Sequence, residues 1–134
     1  MNKAIVALAT LLIGGQLFAA EVKPAVSDAD FPAKNSPEAA IYRGSIVFHH
    51  YCELCHGVKA DGAGRAAKLY NPKPANLVMS DKNDAYKELI IRRGGKALAR
   101  SEFMPPWDNE LTNEQISDVI TFLRSIRSPT AEVK

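Results

Sequence analysis

Two cysteines and a histidine stand together in the segment CELCH and constrain this chain more than any other feature. Cys52 and Cys55 are the only cysteines among 134 residues, and His56 follows directly. Two cysteines cannot form a disulfide framework, and a bridge between residues three positions apart would close too small a ring to hold distant segments together. The two thiols are therefore expected to serve chemistry rather than architecture.

Two of three predicted helices are marked by start signals in the first two thirds of the chain. Ser36 is a suitable N-cap, and Pro37 suits the first helical position, so a helix over about 37–51 is predicted. Asp81 or Asn83 can cap a second helix over about 84–93. The glycines that follow, at 94 and 95, predict its end.

The third predicted helix begins after Thr112, which forms a capping box with Gln115. Its end is expected near Arg127, before Pro129. An apolar stripe at helical spacing marks the face that should pack inward: Ile116, Val119, Ile120, Leu123 and Ile126, with Phe122 on its flank.

Long loops rich in glycine and proline separate these helices, and no stretch alternates as a strand does. The predicted class is all-α, with about three main helices. Helices so separated cannot bury much core among themselves in about 90 ordered residues. We therefore expect something other than side chains to fill the centre.

The CELCH segment indicates that a haem fills the centre, because C-x-x-C-H is the attachment signature of c-type haem. Cys52 and Cys55 would form thioethers with the vinyl groups of one porphyrin, and His56 would bind its iron. A thioredoxin-like dithiol would need a βαβ setting, which the pattern lacks. A structural zinc site would need four ligands.

Several further motifs follow in one order, and over about residues 37–127 the chain resembles a small monohaem class I cytochrome c. They are Gly44 and Phe48 before CELCH, then HGVKADGAG, NPKPANL, FMPPW and LTNEQISDVITFLRSI. The resemblance implies a cytochrome c-like fold around one covalent haem. It also implies that the first and last helices cross closely, with Gly44 against Phe122.

The sixth iron position decides the function. His49 and His50 precede the attachment site on the same helix, so they cannot reach the opposite face of the ring. Met104 lies in a loop with Pro105 and Pro106, where the resemblance places the sixth ligand. Met79 and an open or exchangeable position are the alternatives.

The sequence leaves open which residues contact His56 and the haem propionates. The resemblance implies that a proline carbonyl, of Pro72 or Pro74, holds the other ring nitrogen of His56. Three side chains could reach a haem propionate, although packing or surface roles fit them equally well: Arg65, Tyr70 and Trp107.

Two filled axial positions leave no place for substrate, so the expected activity is one-electron transfer, not catalysis. A net charge of +2 is too small for a typical nucleic-acid binder. Residues 59–100 nevertheless carry ten bases and four acids, which favours redox partners with acidic docking surfaces. The candidate docking lysines are Lys59, Lys68, Lys73 and Lys96.

Other functions remain open beside a monomeric carrier. An exchangeable sixth ligand would make the chain a haem-based sensor or a peroxidase-like enzyme. A permanent place in an assembly would make it the haem subunit of a larger oxidoreductase complex. Free thiols at both cysteines would instead indicate a thiol-disulfide enzyme.

The first twenty residues have the pattern of a secretory signal peptide: Lys3, an apolar run and small residues at its end. Cleavage after Ala19 or Ala20 would export the protein to the periplasm, without a membrane span in the mature chain. The predicted divisions are a signal peptide at 1–20, an extended tail at 21–35, a cytochrome domain at 36–128 and a C-terminal tail at 129–134.

Overall fold

The computed structural model describes residues 32–129. Over this range the chain forms four α-helices and no strand. The helices are α1 at Pro37–Tyr51, α2 at Glu53–His56, α3 at Asp84–Ala97 and α4 at Asn113–Ser125. The loop between α2 and α3 contains one turn of 3₁₀-helix, Ala67–Leu69. The all-helical class predicted from the sequence is confirmed.

Helix α1 begins where its sequence predicts. The Ser36 hydroxyl accepts a hydrogen bond from the backbone N–H of Ala39, and Pro37 occupies the first turn. The helix ends at Tyr51 because Cys52 leaves regular helical geometry, with φ −112°. The chain then makes the short helix α2, so Cys52 lies at the break between the two helices and Cys55 lies within α2.

Helices α1 and α4 cross at the position that the resemblance implied. Gly44 is buried, and a Cβ atom placed on it would overlap the backbone carbonyl of Asp118 and lie 2.9 Å from the Phe122 Cβ. The Phe48 ring packs against Phe122 with centroids 5.4 Å apart. An ion pair also links the two helices, because Arg43 Nε donates to the buried Asp118 carboxylate at 2.6 Å.

Helix α3 is the element that departs most from its prediction. Asn83, rather than Asp81, is its cap and accepts from the backbone N–H of Tyr86. Gly94 interrupts the helix with φ +76°, and one further helical turn follows it. Within the helix Ile91 is buried, whereas Leu89 is 48% exposed.

Helix α4 contributes more residues to the hydrophobic core than any other helix. Its capping box between Thr112 and Gln115 is present, and it ends at Ser125, two residues before the predicted end. The stripe predicted to pack inward is buried at Ile116, Val119, Ile120 and Leu123.

Several predictions concern residues outside the described range. The signal peptide at 1–20, nearly all of the tail at 21–35 and most of the tail at 129–134 lie there, so these divisions remain predictions. Within residues 32–129, none of the helices has the length and apolarity needed to cross a bilayer.

Candidate haem-binding cavity

A single large cavity of about 560 Å³ brings the four candidate site residues together. Its wall includes three residues of the CELCH segment, Cys52, Cys55 and His56. The fourth, Met104, comes from the loop after α3. The cavity volume lies within the range of about 300–1,000 Å³ that is usual for cofactor pockets. The rest of its wall is largely apolar and includes core side chains: Phe48, Ile91, Leu111, Val119 and Leu123.

The two cysteines are unbridged and partly buried, Cys52 between α1 and α2 and Cys55 within α2. The carbonyl of Cys52 accepts from the backbone N–H groups of Cys55, at 3.2 Å, and His56, at 2.9 Å. Burial, reinforced by the charge of Cys55, raises the pKa of the Cys52 thiol to about 12. A thiol this hard to ionise is a poor nucleophile.

His56 is oriented by a backbone carbonyl, but not by that of a proline. Its Nδ1 lies 3.0 Å from the carbonyl oxygen of Ala75. The expectation of Pro72 or Pro74 was therefore wrong, although the segment was right. The Pro74 carbonyl instead faces Gly62, where an added Cβ would lie 2.6 Å from it.

This contact fixes the tautomer of His56. A carbonyl oxygen can only accept, so Nδ1 must carry the proton and Nε2 keeps a free lone pair. Burial lowers the pKa of His56, and the hydrogen bond to Ala75 only partly opposes that effect. The ring is thus held neutral, in the form that binds a metal.

The loop after His56 folds back over the attachment segment. The backbone N–H of Gly62 donates to the His56 carbonyl at 2.8 Å, and that of Gly64 donates to the Cys55 carbonyl at 3.2 Å. A Cβ on Gly64 would overlap the carbonyl oxygens of Leu54 and Cys55. The glycine-rich composition of HGVKADGAG therefore serves a close approach of two backbone segments.

Met104 is held by α3 from two sides. The backbone N–H of Gly95 donates to the Met104 carbonyl at 2.9 Å, and that of Trp107 donates to the Ile91 carbonyl at 2.9 Å. Gly94 lies against the same loop, because an added Cβ would come within 2.8 Å of the Met104 carbonyl oxygen. The sequence marked these glycines only as a helix end, and their role in seating the loop was missed.

The competing ligand candidates lie elsewhere. Met79 is 48% exposed and is not among the residues of the cavity wall. His49 and His50 are exposed. The Nδ1 of His49 lies 2.6 Å from a carboxylate oxygen of Glu53, and the ring of His50 packs edge-on against Tyr51.

Charged and aromatic candidates divide between the wall and the outer surface. Tyr70 and Trp107 line the cavity, whereas Arg65 does not. The Tyr70 ring packs against Phe103, and the Trp107 ring packs against Tyr51.

Among the predicted docking lysines, Lys73 lines the cavity. The other three are exposed away from its wall: Lys59, Lys68 and Lys96. The further cations of the wall were not singled out by the sequence: Lys82, Lys87 and Arg100.

The donor set fits a metal bound in a flat apolar ring. Two thiols, a neutral imidazole and a thioether share one largely apolar cavity. Across residues 32–129, no group of three or more histidine, cysteine or acidic side chains is arranged to hold a metal ion by itself.

Comparison with known proteins agrees with this assignment. A family model described as cytochrome c matches residues 41–127, and no curated protein matches the chain. Among solved structures, a chain of the reducing HAO-like protein complex of Kuenenia stuttgartiensis is similar, with 29% identity and a TM-score of 0.54. The similarity covers 63% of the present chain and 41% of that chain, so most of the neighbour has no counterpart here.

Proposed function

The chain belongs to the cytochrome c family, and on that premise we propose that it is an exported one-electron carrier with one covalent haem c. Family membership itself implies covalent haem with iron and haem-based electron transfer. The finer assignments are that Cys52 and Cys55 form the thioethers and that His56 and Met104 bind the iron. The proposal rests on one observation, that a single cavity is lined by all four side chains.

Each of these side chains has a distinct task. Haem iron gains and loses a single electron. His56 offers Nε2 because Nδ1 is committed to Ala75. Met104 offers a thioether from a loop that hydrogen bonds hold at Gly95 and Ile91. Cys52 and Cys55 prevent dissociation of the ring, so one geometry persists through each oxidation and reduction.

This ligand set favours electron transfer over catalysis. His56 and Met104 would both hold the iron, which would leave a substrate no place to bind it. A thioether donor also favours reduced iron, so the reduction potential should exceed that of a protein with two histidine ligands. The largely apolar wall supports the same direction, because it disfavours the more highly charged oxidised centre.

We further propose that redox partners dock through acidic surfaces. Lys59, Lys68 and Lys73 are exposed on the basic middle third of the chain. Charge-steered, brief contacts are typical of electron-transfer encounters. Charge reversal in K68E/K73E should slow electron transfer and weaken its salt dependence, and unchanged rates would remove this part of the proposal.

A second candidate is a haem subunit within a larger oxidoreductase complex. Its support is the similarity to a chain of a protein complex. Gel filtration of the native protein from its own cells distinguishes the two. A free carrier should elute as a monomer, whereas a subunit should co-elute with other chains.

The remaining rival is a sensor or peroxidase-like protein with an exchangeable sixth ligand. It requires that Met104 leave the iron easily. We expect no carbon monoxide binding to the reduced protein at neutral pH. Rapid and complete binding would favour the rival.

The direct experiment on attachment compares the exported wild type with C52S/C55S. The wild type should retain a haem stain on a denaturing gel, and the double variant should lose it completely. Mass spectrometry of the exported protein should show one haem and an N-terminus at Ala20 or Glu21. A colourless wild type would contradict the proposal.

A further inference from the structure

Many of the polar side chains of the cavity wall come from one short stretch of chain. The loop before α3 and the first turns of that helix contribute five of them: Ser80, Asp81, Lys82, Tyr86 and Lys87. Other polar wall residues come from elsewhere, among them the cations Lys73 and Arg100. By contrast, the wall residues from α4 are apolar, Val119 and Leu123. The cavity is thus suited to a ligand that is apolar over most of its surface and also carries polar groups.

Lys87 is the unusual member of this stretch. It is only 6% exposed, although a lysine is seldom buried without a close partner. One turn later Ile91 belongs to the hydrophobic core, and both residues line the cavity. The Lys87 side chain therefore lies at the cavity wall rather than in bulk water.

The described residues give this ammonium only a weak partner. The Lys87 Nζ lies 3.6 Å from the Asp84 Oδ1, beyond the usual hydrogen-bond range. The other oxygen of that carboxylate, Oδ2, accepts from Arg124. The Asp84 carboxylate thus interacts with two cations, Lys87 and Arg124. An excess of positive charge remains at the cavity wall.

A purely structural role does not explain this arrangement. An ion pair three residues apart on a helix contributes little when it is exposed, and an exposed lysine could form it equally well. Burial of a charge is costly unless a partner compensates it. The position of Lys87 is explained when an anion enters the cavity beside it.

We propose that Lys87 binds a carboxylate of the haem and thereby raises the reduction potential. This inference rests on the proposed function. Haem carries two propionate carboxylates, on pyrroles other than those whose vinyl groups would bond Cys52 and Cys55. The ammonium of Lys87 compensates one carboxylate, and its charge disfavours the oxidised iron. Lys87 is thus a positioning residue for the cofactor and a determinant of its potential.

The test is a reduction potential measured on the intact holoprotein. K87M keeps the length and apolar stem of the side chain and removes its charge. At a fixed electrode potential, the ratio of reduced to oxidised protein should fall about three- to tenfold, equivalent to about 30–60 mV. K87R keeps the charge and should stay within about twofold of the wild type.

A matched control is K82M, because Lys82 also lines the cavity. Its ammonium is 3.0 Å from Asp81 and its side chain is 44% exposed, so water and a partner already compensate the charge. The ratio should change less than about twofold. The weak sulfur-to-iron band, recorded in every variant, verifies that Met104 stays on the iron.

Several results would overturn the inference. They are a K87M potential equal to that of the wild type, a shift no larger than that of K82M, or a lower free energy of unfolding without any shift in potential. If K87M does not accumulate, the reduction potentials of K87Q and D84N test the inference instead. K87Q should lower the potential, and D84N should not lower it, because D84N retains the Lys87 charge. An unchanged or higher potential in K87Q, or a lower one in D84N, would refute the inference. A wild type without haem would refute the proposed function instead.

Discussion

The two sides of the cavity are built in different ways. The His56 side is formed by residues close in sequence: the imidazole, its Ala75 partner and the covering loop lie within residues 52–77. The Met104 side depends on a loop seated against α3. A side held by covalent attachment and local contacts should tolerate damage, whereas the Met104 side should open first.

The largest expected effect is that of M104A. Loss of the thioether should open the iron, so that carbon monoxide binds the reduced protein at neutral pH and the reduction potential falls. Attachment at Cys52 and Cys55 should be unaffected, so the haem stain should survive a denaturing gel. Difference spectra with carbon monoxide measure the effect.

The control for M104A is M79A, because Met79 is exposed and lies off the cavity wall. It should leave carbon monoxide binding and the potential unchanged. Carbon monoxide binding by M79A but not by M104A would reverse the ligand assignment.

The next effect is that of G95A on the Met104 side. The new Cβ would overlap the Ser101 carbonyl oxygen and approach the Met104 Cβ at 3.3 Å, so the loop must shift. We expect a loss of about 1–3 kcal/mol in the free energy of unfolding. The sulfur-to-iron band should weaken, and visible spectroscopy during denaturant titration records both quantities.

A matched variant on the His56 side is G64A, whose Cβ would overlap the carbonyl oxygens of Leu54 and Cys55. It should cost a similar free energy of unfolding, about 1–3 kcal/mol, and leave the sulfur-to-iron band intact. Equal weakening of the band in G64A and G95A would show that the two sides do not differ as described.

A smaller effect is expected for G62A. Gly62 has φ +81°, and an added Cβ would press on the Pro74 carbonyl at 2.6 Å, next to the Ala75 carbonyl that holds His56. A weaker hydrogen bond makes the imidazole a poorer donor, which favours reduced iron. The ratio of reduced to oxidised protein at fixed potential should rise about threefold, measured by redox titration. A fall would contradict the role given to Ala75.

The smallest effect is that of R92Q. Arg92 donates to Asp108 at 2.7 Å and to Glu88 at 2.9 Å, and so links α3 to the chain just beyond the Met104 loop. Solvated ion pairs contribute little, and the backbone bond from Trp107 to Ile91 remains. The free energy of unfolding should fall by at most about 1 kcal/mol, and the sulfur-to-iron band should keep its wild-type intensity. A weakening of the band as large as that of G95A would make this ion pair, rather than the glycines, the main support of the loop.

The sequence predicted features that depend on local signals. The caps at Ser36 and Thr112 and the apolar stripe of α4 depend on spacing within a few residues, and they are confirmed. The family resemblance implied the close crossing at Gly44, and the family is confirmed. The roles of Cys52, Cys55, His56 and Met104 remain predictions.

Features that depend on the approach of distant segments were missed or wrong. Nothing in NPKPANL distinguishes the Ala75 carbonyl from those of its prolines until the loop is folded against Gly62. The seating of the Met104 loop on Gly95 requires that both segments be in place. The burial of Lys87 could not be inferred because lysine on a helix is normally exposed.

The central claim is that Met104 and His56 together close both faces of a covalently held iron. The weak sulfur-to-iron band in the spectrum of the oxidised wild type at neutral pH tests it most directly. The band should be present in the wild type and absent in M104A. An oxidised wild type without this band, although haem is attached, would contradict the account.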